Sequence, residues 1–252
     1  MSMKRREFLG STAKLGTSAG IAALLPRVAS PPELLKALRA AGDTPLRKLT
    51  PPAKGNIHVA FVISADTALI DFAGPWEVFA DVHFEAGGGS HEMISPFQCY
   101  TVSDKIEILE AGGGLKVLPD FTFESVPAPQ VVVIPAQRGR SEDMLNWLRR
   151  FSQTADVTMS VCTGAFVLGK AGLLDGLLTT THHEYQNKFA ELYPKAKLER
   201  GVRFVENERI SSAGGLSSGI DLALHVVERY YGREVAQKTA DYMEYQGQGW
   251  KV

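Results

Sequence analysis

Apolar and polar positions along this chain follow two alternating regimes. Short, mostly apolar segments occur at "IHVAFVIS" (57–64), "FQCYTVS" (97–103), "QVVVIPAQRG" (130–139) and "DVTMSV" (156–161). They have the length of strands buried on both faces. Between them, apolar residues recur at helical spacing. Phe72, Trp76, Phe79 and Val82 do so behind Asp71, which reads as a helix N-cap. Met144, Leu145, Leu148 and Phe151 share one face behind Ser141. "CTGAFVLGKAGLLDG" (162–176) predicts a further helix, and "LLTTTHHEY" (177–185) a short strand leading into a helix through Leu192. "SSGIDLALHVVERYYG" (217–232) predicts a helix ended by Gly232, and "REVAQKTADYMEYQ" (233–246) a last one. "IEILEAGGGLKVLPD" (106–120) reads as two short strands around glycines. "AKLERGVRFVENERISSAGGL" (196–216) reads as an extended pair about Glu206 and Asn207. "AGGGSHEMIS" (86–95) reads as a loop, since it lacks the strand–loop–helix context of a phosphate cradle. Strands alternating with helices define an α/β fold, a mostly parallel sheet sandwiched between helices. One domain over residues 56–247 suffices.

The first 55 residues follow neither regime. Residues 1–30 begin with Lys4, Arg5 and Arg6, continue through a weakly apolar stretch from Leu15 to Leu25, and end near Pro26 and the small residues Ala29 and Ser30. That is the layout of an export signal. Arg5-Arg6 followed by Glu7, Phe8 and Leu9 resembles the twin-arginine type, which implies a periplasmic destination. The apolar stretch is too short for a span of ~20 residues, so no stable membrane span is expected after cleavage. An uncleaved signal would instead retain the protein at the membrane. Residues 31–55 carry five prolines and read as a linker, with a short helix over Glu33–Ala41.

Charge narrows the partners. The whole chain carries a formal net charge of −1; without residues 1–29 it has 22 basic and 27 acidic residues, a net of −5. Such a balance offers no excess of cations for phosphates and argues against nucleic-acid binding. Two cysteines make no disulfide framework and show no metal-ligand spacing. No metal or organic cofactor is implied.

The chemistry gathers at Cys162. It stands where the strand "DVTMSV" meets a helix, and the carboxyl ends of strands are where open α/β sheets collect reactive groups. Ser160-Val161-Cys162-Thr163-Gly164 is a variant of the nucleophile elbow, with Ser160 in the place of the first glycine. The helix start behind it supplies free N–H groups, which favour a thiolate. The Thr163 N–H is placed to serve an oxyanion. A buried thiol that merely fills space is the alternative. Cys99, mid-strand with no turn or glycine beside it, fits that plainer role.

"VCTGAFVLGKAGLLDG…TTTHH", "DFAGPWEVFA" and "SAGGLSSGIDLALHVVERYYG" together resemble the ThiJ/PfpI group of the class I glutamine amidotransferase-like superfamily, over residues 56–245. Its isonitrile hydratases and the amino-terminal domains of AraC-type regulators are the nearest types. The resemblance implies a flavodoxin-like sheet, a homodimer, a small-molecule substrate, and Cys162 as nucleophile with Asp71 as acid partner and Thr163 in support. It also implies that the N–H groups of Thr163, Gly164 and Ala136 line an oxyanion site; Ala136 stands where many relatives have glycine. His182 matches a histidine that pairs with the cysteine in related enzymes, with His183 in place of a tryptophan; a buried, hydrogen-bonded His182 is the alternative. Asp221 is expected to orient the turn "SAGGLSSG". Two functions compete: a cysteine-dependent hydratase or hydrolase, and a ligand- or redox-sensing module without turnover and without a DNA-binding domain.

Overall fold

The computed structural model describes residues 46–85 and 93–252. The expected export signal, the helix over Glu33–Ala41, most of the linker and most of the glycine-rich loop lie outside the described residues.

In chain order the elements are β1 (Ile57–Val62), α1 (Leu69–Ala80), β2 (Phe84–Glu85), β3 (Met93–Ile94), β4 (Phe97–Ser103), β5 (Leu109–Glu110), β6 (Lys116–Val117), β7 (Phe121–Thr122) and β8 (Val131–Ile134). Then follow α2 (Glu142–Phe151), β9 (Val157–Val161), α3 (Ala165–Lys170), β10 (Leu178–Thr179), α4 (Gln186–Leu192), β11 (Lys197–Leu198), β12 (Phe204–Glu206), β13 (Ile210–Ala213), α5 (Ser218–Tyr231) and α6 (Arg233–Tyr242). The main sheet has the order β12-β13-β9-β8-β1-β4-β7 and is parallel except for β12 on β13. This is the α/β sandwich that the alternation of strands and helices implies, with the flavodoxin-like sheet that the resemblance implies.

The period of two along each strand builds the two cores. Ile57, Val59, Phe61 and Ile63 of the β1 segment face one side, with Phe79 of α1 and Leu222 and Val226 of α5. Ala60 and Val62 face the other, with Leu145 and Leu148 of α2, Val167 of α3 and Phe189 of α4. Both faces are dry, which explains the mostly apolar strand segments. The packed body extends past 56–247 at both ends. Leu49 is buried and donates its N–H to the Arg229 carbonyl, and Trp250 is fully buried among the α5 and α6 side chains. Neither belongs to a periodic run, so pattern alone could not include them.

Three elements depart from expectation, each for a local reason. Asp71 is the third residue of α1 rather than its N-cap. The cap position is Ala68, with no side-chain bond; its N–H donates to the Ala136 carbonyl instead. The helix after Cys162 opens with a 3₁₀ turn over Cys162–Gly164 and stops at Lys170. Gly172, at φ +76°, takes the left-handed conformation that ends it there. The edge strand β7 has only two residues, too few to show a period.

Register puts the carboxyl ends of the central strands at one rim. Val133 pairs with Met159 and Ile134 with Ser160, while Ala213 pairs with Val161. Strand order reverses between β1 and β8, since β4 lies on one side of β1 and β8 on the other. Ligands of such sheets bind outside that reversal. The chain segments that leave β1, β8, β9 and β13 at this rim carry Asp71, Ala136, Cys162 and Leu216.

Candidate active site

Cys162 follows β9 directly and adopts φ +58°. For a residue with a Cβ this left-handed conformation is strained and is held by its surroundings. Three contacts hold it. The Cys162 N–H donates to the Gly214 carbonyl at 2.8 Å. The Thr181 hydroxyl donates to the Cys162 carbonyl, also at 2.8 Å. Gly164 sits so close to β8 that a Cβ there would lie 2.0 Å from the Ile134 carbonyl oxygen. The second small residue of the elbow is therefore a packing requirement, and Gly164 serves by close approach.

Asp71 is fully buried and points from the first turn of α1 to the thiol. Pro75, four residues on, removes the donor that would bond the Asp71 carbonyl in a regular helix. Asp71 Oδ2 accepts from the Ala136 N–H at 3.2 Å. That N–H is thus occupied by the carboxylate, which corrects the expectation that it stands free for an oxyanion. Oδ1 is buried without a well-formed hydrogen bond; the Cys162 thiol and the Leu216 N–H approach the carboxylate without closing one on that oxygen. Burial raises the Asp71 carboxyl to about 6, against lowering by the Ala136 N–H, the thiol and the Leu216 N–H.

The thiol itself is not a resting thiolate. Cys162 is 7% exposed, and burial, followed by the Asp71 charge, pushes it up to about 12. The N–H groups of Thr163 and Leu216 pull the other way and lose. The expectation of a thiolate set by the helix start is therefore corrected: two backbone dipoles do not offset desolvation beside a carboxylate. Groups in such contact titrate as a pair. Between the two values the pair holds one proton, and moving it from sulfur to Asp71 creates thiolate without net loss of a proton.

His182 is not paired with Cys162. It caps the 3₁₀ turn His183–Tyr185, with Nδ1 accepting from the Glu184 N–H at 3.3 Å. Its ring stacks on His183 at 4.5 Å and lies against Gly215, where a Cβ would be 2.3 Å from Cδ2. The "TTTHH" segment reaches the cysteine through Thr181 instead.

Leu216 is the site residue that sequence reasoning missed. At φ +51° it turns its N–H toward both Cys162 and Asp71. The glycines before it signal a tight turn, but nothing in a leucine signals a backbone donor. Among the described residues, no group of three or more His, Cys, Asp or Glu is placed to hold a metal. Two surface hollows, of about 640 Å³ beside Trp147 and about 340 Å³ beside Ser64 and Arg138, are not lined by Cys162.

With this geometry in place, comparison with known proteins gives the class. Residues 57–229 match the model of the DJ-1/PfpI family, and the chain belongs to that family. Isonitrile hydratase of Pseudomonas putida is 28% identical over 194 residues, which cover 75% of this chain and 78% of that one. The HTH-type transcriptional regulator GbdR of Pseudomonas aeruginosa is 27% identical over 140 residues, 54% of this chain but only 38% of the regulator. A ThiJ/PfpI family protein of Pseudomonas syringae superposes with a TM-score of 0.66 at 22% identity, covering 78% of each chain, which shows the fold. No helix among the described residues is long and apolar enough to cross a membrane.

Proposed function

We propose that the protein is an exported, cysteine-dependent enzyme that hydrates a small electrophile, with an isonitrile as substrate and an N-substituted formamide as product. The observation that carries this is the buried Asp71–Cys162 pair at a strained elbow. A structural thiol needs neither a left-handed backbone nor a carboxyl raised to about 6 beside it. The likeness to isonitrile hydratase names the substrate class.

In this reading Asp71 accepts the thiol proton as sulfur bonds to the terminal carbon, then returns it to that carbon to leave a thioimidate. Water adds to the thioimidate, and the S–C bond breaks to give the formamide and the free thiol. The thiol proton moves out to Asp71 and on to carbon, and of the two protons of the added water one goes to the nitrogen and the other to the departing sulfur, so the steps balance without a cofactor. The N–H groups of Thr163 and Leu216 stabilise negative charge on sulfur during the exchange. The test is to incubate the purified protein with an alkyl isonitrile and measure formamide. Turnover that Cys162→Ala abolishes supports the reading; no formamide above the Cys162→Ala level rejects it.

A second reading is favoured by one observation, the burial of the thiol, which is only 7% exposed. In it the domain senses a ligand or oxidant without turnover, as a relative of the sensor domains of AraC-type regulators. Ligand binding without product would mark it. Export by the twin-arginine route and homodimer formation complete the proposal. Secretion of the full chain that Arg5→Lys/Arg6→Lys blocks tests the first, and sedimentation of the purified protein tests the second.

A further inference from the structure

The helix α5 carries a polar stripe where its inner face ought to be apolar. Ser217, Asp221, His225 and Glu228 succeed one another at helical spacing and face β12 and the C-terminal tail. At the far end, His225 Nε2 meets Glu206 at 2.7 Å, its Nδ1 meets the Trp250 carbonyl oxygen at 3.2 Å, and Arg229 meets Glu206 at 3.0 Å. At the near end lies a second cluster, which touches the site. Asp221 is 1% exposed. Its Oδ2 accepts from Arg203 Nε at 2.6 Å and Nη2 at 2.5 Å, and its Oδ1 accepts from the Tyr245 hydroxyl at 3.1 Å. The tail closes over it so tightly that a Cβ on Gly249 would lie 2.8 Å from Oδ2.

Arg203 connects this cluster to the segment Gly214–Ser217. Its carbonyl accepts the Gly214 N–H at 2.8 Å, and its Nη2 donates to the Ser217 hydroxyl at 3.2 Å. The segment is therefore gripped at both ends by one residue, and Asp221 with Tyr245 fixes that residue. Gly214 accepts the Cys162 N–H, and between the two grips stands Leu216, at φ +51°, whose N–H approaches Cys162 and Asp71.

We infer that Asp221, Arg203 and Tyr245 are positioning residues, which hold the Leu216 N–H on the Cys162–Asp71 pair. They act through the segment, which they hold at both ends and whose Gly214 carbonyl accepts the Cys162 N–H. The inference deepens the proposed function in resting on the same site, but it asks nothing of the substrate.

The test is the pH profile of Cys162 alkylation by iodoacetamide in a Cys99→Ser background, with no isonitrile present. Failure of the hydratase reading therefore leaves it decidable. Without the Leu216 N–H, which lowers both groups, the inflection set by Asp71 moves up by ~0.5 unit in Asp221→Asn and less in Tyr245→Phe. Loss of stability alone does not move an inflection. An unmoved inflection in folded Asp221→Asn overturns the inference. If Asp221→Asn does not fold, Tyr245→Phe decides, since it keeps the ring and removes one hydroxyl without changing charge. If the parent shows no inflection, hydrogen exchange of the amides over Gly214–Ser217 decides. Exchange at least ~10-fold faster in Tyr245→Phe supports the grip, and unchanged exchange overturns it.

Discussion

The two cysteines of this chain have nearly the same thiol and opposite surroundings. Burial pushes both Cys162 and Cys99 up to about 12. Cys99 lies mid-strand in β4, extended and laddered to Val59, with burial and the Glu77 charge both raising it. Cys162 lies at a rim, at φ +58°, with two N–H donors and a buried carboxyl against it. The difference teaches that burial alone does not set Cys162 apart from Cys99. In the proposed reaction the distinction lies in the carboxyl beside it, a proton acceptor raised to about 6.

The contrast can be broken hardest at Gly164. Gly164→Ala drives a Cβ into the Ile134 carbonyl, backbone against backbone, with no flexible side chain to yield. A loss of ~3 kcal/mol or more in chemical denaturation is expected. In whatever fraction folds, Cys162 loses its reactivity while Cys99 keeps its own.

Asp71→Asn sharpens the contrast by making Cys162 resemble Cys99. Activity falls ~100-fold or more, because the proton acceptor is gone. Stability moves the other way. The folded carboxyl is raised to about 6 from its ordinary 3.8, so the protonated form is favoured by folding. Its stabilising contribution is complete below the unfolded value and is lost as pH rises through 6. At pH 7 the wild type therefore bears a penalty of up to ~3 kcal/mol, which asparagine escapes. Thermal denaturation at pH 7 is expected to show Asp71→Asn as the more stable protein. The advantage fades as pH falls toward 4.

The elbow's carbonyl clamp gives a smaller effect. Thr181→Val removes the hydroxyl that donates to the Cys162 carbonyl and leaves a buried acceptor unpaired, at a cost of ~1–3 kcal/mol. Cys162 alkylation slows with it, whereas His182→Ala leaves alkylation near the wild-type rate because that ring bonds within its own turn. The smallest effect belongs to Cys99→Ser, ~1 kcal/mol in stability and none on Cys162.

Much of the sheet was legible in the sequence because its central strands are buried on both faces and write themselves as mostly apolar segments. The rim was legible because Cys162 stands between such a run and small residues. What escaped was whatever depends on backbone atoms. Leu216 acts through its N–H, Ala136 spends its N–H on Asp71, and Thr181 rather than His182 meets the cysteine; side-chain identity reports none of this. Asp71 reads as an N-cap from its neighbours because a carboxyl before an apolar helix is one. Only the fold shows the Ala68 N–H already bonded to Ala136 and the carboxyl free to turn inward. The state of the thiol was misjudged for a related reason. Helix-start dipoles can be counted along a chain, but the depth of burial that outweighs them cannot.

The claim that Asp71 takes the Cys162 proton is tested most directly by the alkylation rate of Cys162 between pH 4 and 9, in a Cys99→Ser background, with and without Asp71→Asn. The pair predicts a rise that levels off through about pH 6, where Asp71 becomes able to accept the thiol proton. In Asp71→Asn that inflection disappears, and the rate climbs about tenfold per pH unit across the neutral range, as for any thiol far below its own pKa. The same profile in both proteins, or an ordinary inflection near ~8.5 in the parent, would contradict the account.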